Sequence, residues 1–424
     1  MRERMTLVCA DSPVVNADPP QRPMPWSLPP LALYVHIPWC VRKCPYCDFN
    51  SHTAPAALPI DAYVEALLAD LDADLAIAPE TRELGSIFFG GGTPSLMPGA
   101  AIARILDGVR QRLRLASDCE ITLEANPGAM EHDRFDAYRQ AGVNRLSLGV
   151  QSFDDRALER LGRIHDAGQA TRAVNAARVA GFDNFNIDLM FGLPGQSQQG
   201  AIDDIEHALA LEPAHLSHYQ LTIEPNTVFA ARPPTLPDHD RTWDMQEACH
   251  AHLASAGLAH YEVSAYARPT RECRHNLNYW RYGDYLGIGA GAHAKRTLAD
   301  AGIERRWKLK QPRAYLEFMG APARVGGTQR LADAEIPFDF ALNALRLHEG
   351  FALDTFERRA GLDRSMLDRP VRQGVSHGWL EVTSTHVRTT PQGRNFLNDV
   401  LEMFLPVTPR QRPRIEAALL ESSL

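Results

Sequence analysis

Leu31-Ala32-Leu33-Tyr34-Val35-His36-Ile37-Pro38-Trp39-Cys40-Val41-Arg42-Lys43-Cys44-Pro45-Tyr46-Cys47 is the stretch on which the reading of the fold turns. Apart from His36, its first seven residues are apolar, aromatic or β-branched, as a buried strand requires, and Pro38 stops the run. Three cysteines therefore sit in a loop directly after a strand. Thiolates hold iron–sulfur clusters, and cysteines this close together can occupy several corners of one cubane. Three thiolates on four irons would leave one iron open to another molecule, much as an open position separates catalytic from structural zinc sites. Structural zinc is the alternative. It wants four ligands in paired spacing, no second Cys-x-x-C pair occurs, and His36 or His52 would have to be the fourth ligand.

From that first strand to about Ile223, apolar runs alternate with amphipathic stretches. Strands are predicted at Leu31–Ile37, Ser86–Gly90, Glu120–Ala125, Arg145–Val150, Asn184–Met190 and Leu216–Thr222, with helices between them. Six such units imply a parallel sheet with right-handed crossovers. They are too few for eight-stranded closure, so the expected fold class is α/β, a partial (β/α)6 barrel, with a flat doubly wound sheet as the alternative.

The expected division has a disordered, proline-rich tail at 1–30, a core barrel at 31–235, a middle α/β extension at 236–330, a small C-terminal domain at 331–408 and a tail at 409–424. A helix is predicted near Asp238–Ala256. The C-terminal part reads as helices, two short strands around Leu380 and Val387, and a closing helix after Pro391, which is the order of a winged-helix-like module.

In 424 residues, 45% of them hydrophobic, there is ample material for a large core. A net charge of −8 carries no basic footprint for nucleic acid, so the winged-helix-like part reads as structural and no nucleic-acid partner is expected. The odd count of seven cysteines, three of them crowded together, argues for metal binding in a reducing, cytoplasmic setting rather than for a disulfide framework. Cys9, Cys119, Cys249 and Cys273 are scattered and receive no role.

Ligands in α/β sheets bind beyond the carboxyl ends of the strands, and polar motifs recur there: Gly90-Gly91-Gly92-Thr93 after the second strand, Glu124-Ala125-Asn126-Pro127 after the third, Gln151-Ser152-Phe153 after the fourth, Asp188 on the fifth. The glycines would let backbone N–H groups approach a ligand, though a tight turn is the commoner use of such a run. Tyr34 to Cys40 with the following Cys-x-x-x-Cys-x-x-Cys resembles the signature of the radical S-adenosylmethionine (radical SAM) superfamily. The resemblance implies a [4Fe–4S] cluster on Cys40, Cys44 and Cys47, with SAM on its open iron. Within the coproporphyrinogen oxidase-like group of that superfamily, it implies SAM contacts at Tyr34, Gly91, Gly92, Thr93, Glu124, Gln151, Arg163 and Asp188.

From Leu31 to Phe404, including Asn226-Thr227, His275-Asn276-Leu277-Asn278-Tyr279-Trp280 and Gly287-Ile288-Gly289, the chain is most similar to the HemW-type heme chaperones. The oxygen-independent coproporphyrinogen III oxidases have a fourth cysteine two positions after the third, where this chain has Phe49, so decarboxylation of coproporphyrinogen III or a related tetrapyrrole is kept only as the alternative. The resemblance implies heme as a further ligand, held at His275, and delivery of heme to respiratory acceptor proteins, some at the membrane surface, with a homodimer as one arrangement. Imidazole suits heme iron, Tyr279 and Trp280 offer aromatic surface, and Arg271, Arg274 and Arg281 suit propionates.

Overall fold

The computed structural model describes residues 27–128 and 134–406. The expected tails lie outside these residues, except for 27–30 of the first. Six parallel strands follow in chain order across the centre of the sheet: β1 (Leu31–Ile37), β2 (Leu84–Gly91), β3 (Leu115–Ala125), β4 (Arg145–Gln151), β5 (Phe185–Phe191) and β6 (His215–Gln220). A doubly wound sheet needs a reversal of strand order at its middle, and none occurs between β1 and β6. With right-handed crossovers that order puts the connecting helices on one face, as in a barrel wall.

Strand alternation sorts the side chains accordingly. Leu33, Val35 and Ile37 of β1, Ile121 and Leu123 of β3, Leu146, Leu148 and Val150 of β4, and Ile187 and Leu189 of β5 join one apolar core. That core includes residues of helices α1 (Ile60–Ile77), α2 (Gly99–Arg110), α3 (Ala167–Val179) and α4 (Gln198–Ala210). The intervening residues, among them Glu124, Ser147, Asp188 and Ser217, line cavities on the other face. Closed (β/α)8 barrels fill this space with branched apolar side chains. Here it is polar and partly open.

Residues beyond 236 do more than extend one edge. Helix α5 (His239–Ser255) is capped by Asp238, whose carboxylate accepts from the Arg241 N–H. The strands β7 (Ala259–Glu262) and β8 (Ala265–Ala267) then pair antiparallel beyond β6. After helix α6 (Arg274–Trp280) the chain returns to the opposite edge. There β9 (Asp284–Ile288) runs parallel to β1, and β10 (His293–Thr297), β11 (Ile303–Lys308) and β12 (Val325–Arg330) follow antiparallel, giving one 12-stranded sheet.

The last residues form a separate apolar core around Phe340, Phe351, Phe356, Val387 and Val400. The order is α7 (Ile336–Ala344), β13 (Phe351–Ala352), α8 (Leu353–Ala360), α9 (Asp368–Ser376), β14 (Leu380–Val382), β15 (His386–Thr389) and short closing helices, as a winged-helix-like module requires.

Candidate cofactor site in the barrel

The cysteine loop leaves β1 at Pro38 and comes back as a two-residue ribbon, Trp39 and Cys40 pairing with His52 and Thr53. Asn50 ties it to the sheet through 2.9 Å bonds from Nδ2 to the carbonyls of Ala290 and Lys310. Cys40, Cys44 and Cys47 are all free thiols, and all three line a cavity of about 450 Å³ at the carboxyl ends of the strands. Burial, eased by a Thr93 hydrogen bond but reinforced by the neighbouring thiols, raises the pKa of Cys40; burial likewise raises that of Cys47. A bound metal reverses that preference, because it deprotonates its thiols outright. Among the described residues no three potential ligands converge on a point that would hold one metal ion. A cubane asks something else of the protein: each thiolate binds its own iron, so the sulfurs surround a volume.

Seven of the eight positions expected to contact SAM line the same cavity: Gly91, Gly92, Thr93, Glu124, Gln151, Arg163 and Asp188. Tyr34 does not. Its ring lines a second chamber of about 210 Å³, and its hydroxyl bonds His36 Nδ1 at 3.0 Å. Glu124, Ser147, Asp188 and Ser217 line both spaces and so form the layer between them.

The glycines act differently from the expectation. Gly91 N donates to Glu124 Oε2 (3.3 Å), Gly92 N to the Ile37 carbonyl (2.7 Å) and Thr93 N to the Trp39 carbonyl (2.7 Å), so these N–H groups are already used within the protein. What glycine provides is clearance. A Cβ on Gly92 would lie 2.6 Å from the Trp39 carbonyl oxygen, and one on Gly91, whose φ is +114°, would lie 2.5 Å from the His36 ring. The run brings β2 against the start of the cysteine loop.

Around the thiols lies a continuous polar network. Arg163 Nη1 is 3.5 Å from Cys44 Sγ, while its Nη2 donates to Asn126 Oδ1 and to the Gly149 carbonyl, both at 2.6 Å. Asn126 Nδ2 donates in turn to Thr93 Oγ1 at 2.8 Å. Gln151 holds a left-handed backbone (φ +73°), a strained state for a non-glycine residue, and its Oε1 accepts from the Tyr219 hydroxyl at 2.6 Å. Asp204 of α4 fixes the following turn by accepting from the Ser152 hydroxyl and the Phe153 N–H. Asn126, Tyr219, Ser147 and Ser217 were missing from the expected set. Ser217 and Tyr219 stand two apart on β6, and Ser147 stands two before Gly149 on β4, so period-two counting from the lumen face reaches them.

The carboxylates are electrically unusual. Burial, together with the facing charge of Asp188, pushes Glu124 up to about 8 against the opposing Gly91 hydrogen bond. Burial also raises Asp188, although Asn186 Nδ2 (2.7 Å) and the Ser147 hydroxyl (3.2 Å) donate to it. Two such groups at the cavity floor suit a cationic ligand.

His275, the expected heme contact, lies in the second chamber and is only 1% exposed. Its Nδ1 is 2.9 Å from Ser86 Oγ and its Nε2 2.8 Å from the Tyr279 hydroxyl, so both ring nitrogens are occupied. Burial, and then the charge of Arg145, pull its pKa down to about 3. In this arrangement it is an interior residue whose two ring nitrogens meet the Ser86 and Tyr279 hydroxyls. Arg271, Arg274 and Arg281 pair at the surface with Asp183, Asp118 and Glu349.

Comparison with known proteins bears on this geometry directly. The radical SAM superfamily model matches residues 34–208, and the HemN C-terminal domain model matches 331–396. The chain is 51% identical over 380 residues to the heme chaperone HemW of Escherichia coli (strain K12), covering 89% of this chain and 99% of that protein. It belongs to the HemW family. Another member, the heme chaperone HemW of Haemophilus influenzae, is 47% identical over 384 residues, covering 89% of this chain and 99% of the relative. Among solved structures, coproporphyrinogen III oxidase (HemN) from Escherichia coli, titled a radical SAM enzyme, superposes with a TM-score of 0.74 at 24% identity over 89% of this chain and 90% of that one; this is a likeness of fold. Radical SAM membership of the HemW family implies a [4Fe–4S] cluster and SAM, and the three free thiols beside a polar cavity fit both. Among the described residues no helix is long and apolar enough to cross a membrane.

Proposed function

We propose that this chain is a heme chaperone that binds heme and passes it to acceptor proteins, respiratory ones among them, from a radical SAM core. The observation that carries the reading is likeness along almost the full length of proteins named heme chaperone HemW. In this reading Cys40, Cys44 and Cys47 hold the cluster, and Gly91, Gly92, Thr93, Glu124, Gln151, Arg163 and Asp188 surround SAM. Once bound, the cluster and SAM supply one-electron chemistry at the cavity. The chain's own residues do the positioning. Arg163 sets a cation against the thiolate of Cys44, Asn126 locks Arg163 to Thr93, and Glu124 and Asp188 offer charge to an ammonium group. The barrel and its sheet extensions, 31–330, carry this site, and the winged-helix-like module stands beside it. We place the protein in the cytoplasm, meeting membrane-bound acceptors at their surface.

A second reading, an oxidase acting on coproporphyrinogen III, draws on the complete thiol triad and cavity. Against it, Phe49 occupies the position of the oxidases' extra cysteine, 62% exposed at the cavity wall. Hemin titration alongside a decarboxylation assay tests the two: the chaperone takes up heme and releases no carbon dioxide from coproporphyrinogen.

A further inference from the structure

Asn186 and His215 are polar residues only 2% and 1% exposed, inside the barrel beside Asp188. Register brings them together. Asn186 of β5 stands opposite Ser147 of β4 on one side and His215 of β6 on the other, with Asp188 two residues further along the same face of the strand. We propose that Tyr261, His215 and Asn186 are positioning residues for Asp188, a one-way chain of hydrogen bonds that brings donors to its carboxylate and aims it at the cationic part of SAM. The proposal rests on the reading that Asp188 meets SAM and deepens it.

The direction of the chain is fixed at its far end. The backbone N–H of Cys273, at the start of α6, can only donate, and it lies 3.3 Å from the hydroxyl oxygen of Tyr261 on β7. That hydroxyl also meets His215 Nε2 at 2.8 Å, so the Tyr261 hydrogen goes to the ring. Burial, and then the charge of Arg145, hold the His215 pKa well below its ordinary range, so the ring is neutral. A neutral imidazole that accepts at Nε2 carries its proton on Nδ1. Nδ1–H therefore donates to Asn186 Oδ1 at 2.7 Å. That sets the amide, with Oδ1 towards His215 and the Nδ2 hydrogens towards the site, one on Asp188 Oδ1 (2.7 Å) and one on Ser147 Oγ (2.8 Å). The Ser147 hydroxyl passes its own hydrogen to Asp188 Oδ2 (3.2 Å). Every donor points to the carboxylate, and each link polarises the next.

A turned Asn186 amide would set Oδ1 against the Asp188 carboxylate, and the other His215 tautomer would leave Nδ1 and Oδ1 as two facing acceptors. The chain excludes both. Burial raises Asp188, while hydrogen bonds from Asn186, Ser217 and Ser147 and the charge of Arg145 lower it. Glu124 of β3 and Tyr219 of β6 also feel its charge. Breaking the chain therefore makes Asp188 harder to ionise, and an ammonium group needs it ionised.

The test measures SAM binding by equilibrium dialysis from about pH 6 to 9 on full-length protein reconstituted with iron and sulfide, with bound iron and circular dichroism recorded for each variant. Asp188→Asn should weaken SAM by roughly tenfold or more. Asn186→Ala should keep its iron, weaken SAM by roughly threefold or more at neutral pH and move the binding midpoint to higher pH. Tyr261→Phe, which removes one hydroxyl, should do the same to a smaller degree. His215→Leu should match Asn186→Ala, and His215→Asn, whose amide can donate in place of Nδ1–H, should recover most of the loss. With Asp188→Asn already present, Asn186→Ala should cost nothing further. If Asn186→Ala does not fold, Tyr261→Phe and the two His215 variants decide by the same criteria. Wild-type affinity and midpoint in these variants, or a loss that persists undiminished in the Asp188→Asn background, would overturn the chain and leave the Asp188 reading standing. Unchanged SAM affinity in Asp188→Asn would overturn that reading and the chain with it.

Discussion

Glu124 shows how single side chains set the behaviour of the barrel. Its folded pKa of about 8 lies above the ordinary value of 4.5, so its neutral form is favoured in the fold. The stability it contributes is therefore complete below pH 4.5 and is lost as pH rises through about 8. We predict that ligand-free wild type loses a few degrees of melting temperature between pH 5 and 8 relative to Glu124→Gln. Parallel pH dependence in the two proteins would show that Glu124 is not the group responsible. The same substitution should abolish most SAM affinity, because a carboxyl group can ionise when an ammonium group arrives beside it and an amide cannot, as read by equilibrium dialysis. Cys44→Ser should leave the fold intact and lower bound iron after reconstitution to near background, because a cubane is left with two protein thiolates.

Elements meet where small residues or buried charges allow them to. Gly92→Ala places a Cβ 2.6 Å from the Trp39 carbonyl oxygen, a backbone atom that cannot swing aside, so it should cost about 1–3 kcal/mol in urea unfolding and impair cluster retention. Helix α1 is anchored on β11 through Lys308, whose Nζ lies 2.7 Å from a carboxylate oxygen of both Asp70 and Asp74, all three groups being buried. Lys308→Met leaves Asp70 with Arg324 and Asp74 with Arg306 as their remaining cations, and should destabilise by about 1–3 kcal/mol, measured by the same unfolding. Local pattern made much of this level legible: β1 runs from Leu31 to Ile37 as the apolar run predicts, and α5 follows its Asp238 cap. Pairings across long sequence distances were not legible. Nothing near Asp284 signals that β9 pairs in parallel with β1, some 250 residues earlier, because register there is set by the finished sheet. For the same reason the glycine run reads equally well as a ligand cradle or as clearance until Trp39 is seen against it.

In the molecule as a whole, the composition of the strands decides what the barrel is for. Their outer residues are as apolar as any parallel sheet requires, but the inner ones are Glu124, Ser147, Asn186, Asp188, Ser217 and Tyr219, so the lumen stays open for ligands. Sequence reasoning located the carboxyl-end motifs and the thiols. Depth along the lumen, which divides Tyr34 and His275 from the other site residues, depends on which end of each strand a residue occupies, and α6 closes the lower end only in the assembled fold. The central claim joins an intact cofactor site to heme handling without tetrapyrrole decarboxylation. The most direct measurement is anaerobic reconstitution of full-length protein with iron and sulfide, followed on one sample by hemin titration and a coproporphyrinogen assay in the presence of SAM and a reductant. Saturable heme uptake with no decarboxylated product is the predicted result; turnover of coproporphyrinogen, or a reconstituted protein that takes up no heme, would contradict it.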